Sequence, residues 1–162
     1  MLDGGLPAWV ASGRALEAGA VERTPGDVSL AYGHLPTVDL DDAAGFPAHG
    51  ALLDARAGAR YRGETEPIDP RAGHIPGAIS APTAENVDAT GRFLPPARLR
   101  ERFAALGIPQ GGDVAVYCGS GVNAAHEVAA LALAGHAAAL YPGSWSQWSQ
   151  TDRPAATGAE PG

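Results

Sequence analysis

Short apolar runs separated by polar turns dominate the middle of this chain. Residues 51–54 and 114–117 are such runs, each long enough for a strand buried on both faces. Residues 75–80 read as a turn through Pro76-Gly77 into another short strand, and residues 138–141 as a last one. Helical patterns lie between them. Residues 39–46 suit a short helix capped by Asp39. Residues 97–106 follow Pro95-Pro96 and stop at Gly107. Residues 122–133 are closed by Gly135. Residues 28–32 alternate like an edge strand. Residues 57–73 are charged, carry Pro67 and Pro70, and read as a long irregular loop of the kind that is often functional. Strands that alternate with helices imply an α/β fold with a mostly parallel central sheet flanked by helices. In such sheets ligands sit at the carboxyl ends of the strands.

Residues 10–27 are small and polar and read as a linker. That divides the chain into residues 1–27, which close a preceding unit and lead out of it, a domain at 28–158, and a tail at 159–162. Gly4-x-x-x-x-Trp9 echoes Gly143-x-x-x-x-Trp148, which reads equally as the ends of two related units or as a chance match of Gly and Trp.

Composition narrows the classes. Hydrophobic residues make up 45% and charged residues 18% of 162, which suits one folded domain with a real core. A net charge of −7 argues against nucleic acid as a partner. The apolar stretch at 128–140 is interrupted and too short to span a bilayer, and residues 1–5 lack the features of a signal peptide. The single cysteine excludes a disulfide framework and a multi-cysteine zinc site. A lone available thiol suits a reducing compartment, and a cytoplasmic location is expected.

That cysteine, Cys118, ends the run 114–117 and opens Gly119-Ser120-Gly121-Val122-Asn123-Ala124, just before a helix. Amides at a helix start favour an anion, so Cys118 is expected to act as a thiolate nucleophile. The loop also fits a dinucleotide fingerprint. That fingerprint needs an acid at the end of the next strand, where Leu140-Tyr141-Pro142-Gly143 stands instead. A cysteine phosphatase needs an arginine where Ala124 stands, which argues against phosphate-ester hydrolysis. Arg60, Arg62 and Arg71, set among Glu64, Glu66 and Asp69, read equally as a solvated loop or as a carboxylate clamp. Asp54 and Arg56 read as a structural pair, and His74 as a hydrogen-bond donor in a turn, with a general base as the alternative. Trp145 and Trp148 read as packing residues.

At Leu52-Leu53-Asp54-Ala55-Arg56, Arg60-Tyr61-Arg62-Gly63-Glu64, Gly73-His74-Ile75-Pro76-Gly77-Ala78, residues 117–124 and Tyr141-Pro142-Gly143-Ser144-Trp145, the chain resembles the rhodanese family. It is most similar to the second domain of two-domain sulfurtransferases of the thiosulfate and 3-mercaptopyruvate type. The resemblance implies a persulfide on Cys118, a proton-transfer role for Ser120, and substrate binding by Arg60, by Arg71 and by the loop residues Gly119, Gly121, Val122 and Asn123. It implies a small sulfur donor, a thiol, cyanide or thioredoxin-like acceptor, and a preceding domain of the same family. It implies no metal and no organic cofactor. Asn123 replaces a usual Thr and Ala125 a common second Cys. The alternative is a non-catalytic or relay-type rhodanese-like module that carries sulfur or binds a partner.

Overall fold

The computed structural model describes residues 2–31 and 33–162. Its centre is a four-stranded sheet, β1 (Ala51–Asp54), β2 (Ile79–Ser80), β3 (Val114–Tyr117) and β4 (Ala139–Leu140), in the spatial order β2-β1-β3-β4. Every pairing is parallel, and the register sets Leu53 beside Ile79, Asp54 beside Tyr117 and Val116 beside Leu140. Around it run α1 (Gly5–Ala11), α2 (Leu40–Gly45), α3 (Gly58–Tyr61), α4 (Pro96–Ala105), α5 (Val122–Ala134) and α6 (Ser144–Trp148).

The period-2 geometry of a strand sends alternate side chains to opposite faces, and two cores result. On one face Leu53, Val114 and Val116 pack with Leu99 and Phe103 of α4 and Ala130, Leu131 and Ala134 of α5. On the other, Leu52, Ala115 and Tyr117 pack with Tyr61, Ile75, Tyr141, Trp145 and Trp148. Each fully buried leucine or phenylalanine contributes about 1.5–3 kcal/mol. Both sheet faces are covered, which is why β1 and β3 read as continuous apolar runs and not as alternating ones.

Local signals explain the helix ends. Asp39 accepts from the backbone N–H groups of Asp41 and Asp42, both at 2.9 Å, and Asp42 accepts from the Asp39 N–H at 3.2 Å. This reciprocal box fixes the start of α2. The N–H of His136 reaches the carbonyl of Leu131 at 2.9 Å and closes α5 just past Gly135.

Two expectations need correction. The alternation at 28–32 makes no edge strand: residues 28–31 have no regular secondary structure, Val28 and Leu30 are exposed, and Tyr32 lies outside the described residues. The sheet edge beyond β4 is used by Thr37, which bridges Leu140 in parallel, with bonds from Val38 N–H to Leu140 O and from Leu140 N–H to Pro36 O. Val38 gains contact with the second core there, which residues 28–31 do not have. The loop at 57–73 is also less irregular than expected, because it contains α3. The short helices α1 and α6 had no periodic signature. Among the described residues no helix is long and apolar enough to cross a membrane.

Candidate active site

Parallel pairing of β1 with β3 brings two loop starts together. Asp54 and Tyr117 are register partners, so Arg56 and Cys118 follow at the same end of the sheet. Cys118 is only 2% exposed and lies in the wall of a cavity of about 350 Å³. Arg60, Ile68, Asp69, Gly119, Ser120, Val122 and Asn123 complete much of its lining.

The loop after Cys118 is held by its carbonyls. The Cys118 carbonyl accepts from Trp145 N–H and the Gly119 carbonyl from Ser146 N–H, both at 2.9 Å. Ser144 Oγ accepts from Cys118 N–H at 3.1 Å and donates to Tyr141 O at 2.9 Å. Ser144 is fully buried and has φ 53°, the one positive value outside glycine among the described residues. A residue held in that region is strained and persists only where its surroundings over-determine it. With the carbonyls so engaged, the N–H groups from Gly119 to Ala124 have no acceptor among the described residues. No side chain caps α5 either. A row of free amides at the start of a 13-residue helix is an anion cradle.

Two glycines make the loop possible. Gly121 has φ 82°, and a Cβ there would stand 3.0 Å from Pro142 O. A Cβ on Gly119 would press to 3.3 Å against Nη1 of Arg60, so glycine lets the guanidinium lie on the loop backbone.

The arginines divide by role. Arg56 is 1% exposed. It forks onto Asp54 at 2.6–3.1 Å, donates to Gly73 O at 2.6 Å and to Glu66 at 3.3 Å, and stacks 4.7 Å over Trp145. Burial disfavours its charge, but the Asp54 hydrogen bond and charge outweigh that and raise its pKa. Arg60 donates through Nε and Nη2 to Glu66, at 3.2 and 2.6 Å, and through Nη2 to Asp69 at 3.1 Å. Its Nη1 has no acceptor among the described residues and lies against Gly119.

Glu66 joins the two arginines. Its side chain is 4% exposed and also accepts from the N–H groups of Ile68 and Asp69, both at 3.2 Å. Burial pushes its carboxyl up, but the hydrogen bonds from Arg60 and from those two amides overcome this and hold it below the usual range.

The structure does not bring Arg71 to this cavity. Its Nε, Nη1 and Nη2 donate to the carbonyls of Ser149, Arg153 and Trp148 at 2.9–3.2 Å. The carbonyl end of α6 attracts a cation, and it takes the guanidinium that the resemblance assigns to substrate. His74 is also outside the cavity. It is fully buried, stacked 3.7 Å from the Tyr61 ring, with Nδ1 at 2.8 Å from Tyr61 O and Nε2 at 3.2 Å from Pro161 O.

Sequence reasoning missed two residues. Glu66 stood among mixed charges with no periodic signal, and only its reach to both Arg56 and Arg60 singles it out. Ser144 stood in the Tyr-Pro-Gly-Ser-Trp motif, where no sequence pattern signals the hydrogen bond that it accepts from Cys118 N–H.

Comparison with known proteins agrees with this fold. A family model described as a rhodanese-like domain matches residues 39–151. A Pseudomonas aeruginosa protein provisionally named 3-mercaptopyruvate sulfurtransferase is 50% identical over 98% of this chain and 57% of its own length. A Mycobacterium tuberculosis protein provisionally named thiosulfate sulfurtransferase SseB is 45% identical over 92% of this chain and 54% of its own. The crystal structure of SseA from Escherichia coli, described as a 3-mercaptopyruvate sulfotransferase with the rhodanese fold, has a TM-score of 0.72 and 35% identity, covering 89% of this chain and 55% of that one. The chain thus spans about half the length of the curated relatives it matches. The parallel sheet, the loop at Cys118 and a family match over residues 39–151 lead to one conclusion: this chain belongs to the rhodanese family.

Proposed function

We propose that this domain moves a sulfane sulfur from a small anionic donor, 3-mercaptopyruvate or thiosulfate, to an acceptor through a persulfide on Cys118. The observation that carries this reading is the cavity in which Cys118, the free amides of its loop and the unpaired Nη1 edge of Arg60 converge. The Cys118 thiolate attacks the donor sulfur. With mercaptopyruvate the C–S bond breaks, its electron pair leaves on the enolate carbon, and that carbon takes the proton lost by the sulfur, giving pyruvate and Cys118–S–S⁻. With thiosulfate the S–S bond breaks and sulfite leaves. The amides of Gly119, Gly121, Val122 and Asn123 stabilise the anionic persulfide, as donors aimed at developing charge do in other acyl- and sulfur-transfer sites. Arg60 holds the donor's anionic head through Nη1, and the Ser120 hydroxyl, in the cavity wall, relays the proton. Asp54, Arg56 and His74 are structural: the first two fix the end of β1, and His74 ties the turn at 74–78 to Pro161.

A thiol, cyanide or a thioredoxin-like protein then removes the outer sulfur, in ping-pong order. Ile68 and Val122, 75% and 74% exposed, edge the cavity and suit a protein acceptor. The same two lips favour the second reading, a relay module that receives sulfur from a protein. The exposed Leu2, Leu6 and Val10 suit cover by a preceding domain, which the greater length of the relatives would supply. The reducing chemistry fits a cytoplasmic setting.

Intact mass before and after exposure to 3-mercaptopyruvate or thiosulfate tests the reading. A reducible gain of one sulfur is expected, lost in Cys118→Ser together with turnover. Transfer that persists in Cys118→Ser sinks the proposal, and loading by a persulfidated protein alone favours the relay.

A further inference from the structure

Arg56, Arg60 and Asp69 line the cavity, and Asp54 and Glu66 hold the two arginines from behind it. Asp54, Glu66 and Asp69 face Arg56 and Arg60 in one connected chain of ion pairs. Three carboxylates against two guanidiniums leave one formal negative charge in excess in that network, and Asp69 is the carboxylate that reaches the cavity. Asp54 and Glu66 are saturated by arginine and amide donors. Asp69 is different. It holds Arg60 through Oδ2 alone at 3.1 Å, its side chain is 5% exposed, and it lines the cavity itself. Its other oxygen has no donor among the described residues.

We propose that Asp69 is a specificity-determining residue that sets the charge of the anion this cavity accepts, favouring a monoanion over a dianion. The inference rests on the reading that Cys118 takes sulfur from a small anionic donor. The free Nη1 edge of Arg60 and the amides of the loop offer attraction for about one negative charge. A second negative charge on the same small molecule meets the Asp69 carboxylate, itself only 5% exposed, and like charges a few ångströms apart repel. Mercaptopyruvate carries one carboxylate, and thiosulfate carries two charges on one tetrahedral head. The wall therefore discriminates between the two donor classes by charge and not by size.

The test separates charge selection from sulfur transfer. In the full chain, Cys118 is alkylated with iodoacetamide in the presence of methanesulfonate or sulfate, two tetrahedral sulfur oxyanions of similar size that differ by one charge. Methanesulfonate is expected to protect at lower concentration than sulfate. In Asp69→Asn, which keeps the shape and a hydrogen bond to Arg60, sulfate protection is expected to improve about tenfold relative to methanesulfonate. Asp69→Ser gives the same direction if the amide disturbs folding. Sulfate protecting the wild type as well as methanesulfonate, or an unchanged ratio in the variant, overturns the proposal. In the transfer assay the ratio of kcat/KM for thiosulfate to that for mercaptopyruvate should rise about tenfold in Asp69→Asn, and a constant ratio again overturns it. If neither donor loads Cys118, the transfer reading fails while the alkylation arm still decides the role of Asp69.

Discussion

Glu66 and Glu127 are both buried carboxylates within reach of an arginine, and they end on opposite sides of the usual carboxylate range. Glu66, behind the two arginines that line the Cys118 cavity, meets two guanidiniums and two backbone amides at 2.6–3.3 Å. Glu127, on the inner side of α5 facing α4, is fully buried. Asn86 donates to it at 2.5 Å, and Arg102 reaches it only at 3.4 Å while also serving Pro82 O and Glu85. Asn86 Oδ1 and Arg102 Nε have no partner among the described residues. Burial therefore raises the pKa of Glu127, and its hydrogen bonds do not recover the loss. The same residue type is locked as an anion at the front of the sheet and disfavoured as one at the back. Full satisfaction of a polar network fixes geometry, and partial satisfaction does not. The front network is the one that positions Arg60.

The strongest way to break the contrast is Glu66→Ala. It leaves two largely buried guanidiniums short of an anion, and removing one partner of a buried pair costs about 3–5 kcal/mol. Urea unfolding should show that loss, and the donor KM should rise because Nη1 of Arg60 is no longer aimed. The carboxyl of Glu66 is held below its unfolded value, so its contribution is complete above an unfolded pKa near 4.5 and disappears as pH falls through the lower folded value. Glu66→Gln should therefore flatten the acid limb of the stability curve. An unaltered acid limb would mean that the ion pairs contribute nothing net.

Arg71→Ala comes next. Three charge-assisted bonds to carbonyls at and beyond the end of α6 are lost, for about 2–3 kcal/mol in total once partial exposure is counted. Sulfur loading of Cys118 should keep its donor KM, unlike in Arg60→Lys, where the fork onto Glu66 is lost and KM should rise roughly tenfold or more. A raised donor KM in Arg71→Ala would restore the substrate role that the resemblance implied.

What the sequence revealed follows the same division. β1, β3, α4 and α5 were legible because each is long enough for burial to write a pattern, with Pro96 opening α4 and Gly135 closing α5, and α2 was legible from its Asp39 cap. Alternation at 28–32 was misleading because a strand also needs a neighbour with a free edge, and Thr37 held the one beside β4. α3 and α6 span about one turn, too short for periodicity to show. Cys118 stood out by its place between a strand and a glycine loop. Arg60 and Arg71 could not be separated from their sequence, because only the path of the loop between them decides which guanidinium reaches the cavity. Glu66 was hidden for a related reason: its partners lie 6 and 10 positions away, at no helical or strand spacing.

The smallest effect should come from Glu127→Gln, and it runs in the opposite sense to Glu66→Gln. Because the folded pKa of Glu127 is raised, the native state prefers the protonated carboxyl, and stability is lost as pH climbs from the unfolded value near 4.5 through the folded one. Glutamine has the shape of that protonated form and cannot ionise. The variant should therefore gain on the wild type as pH rises above 4.5 toward 7, while Glu66→Gln loses on it at lower pH, between the depressed folded value and 4.5, and then runs level. Asn86 keeps an oxygen to donate to, and Arg102 keeps Pro82 O at 3.0 Å and Glu85 at 3.3 Å. Cys118 loading should be untouched, since none of these groups lines its cavity. Parallel pH-stability curves for the two glutamine variants would remove the distinction between front and back, and would place the control of Arg60 in the loop backbone and not in Glu66.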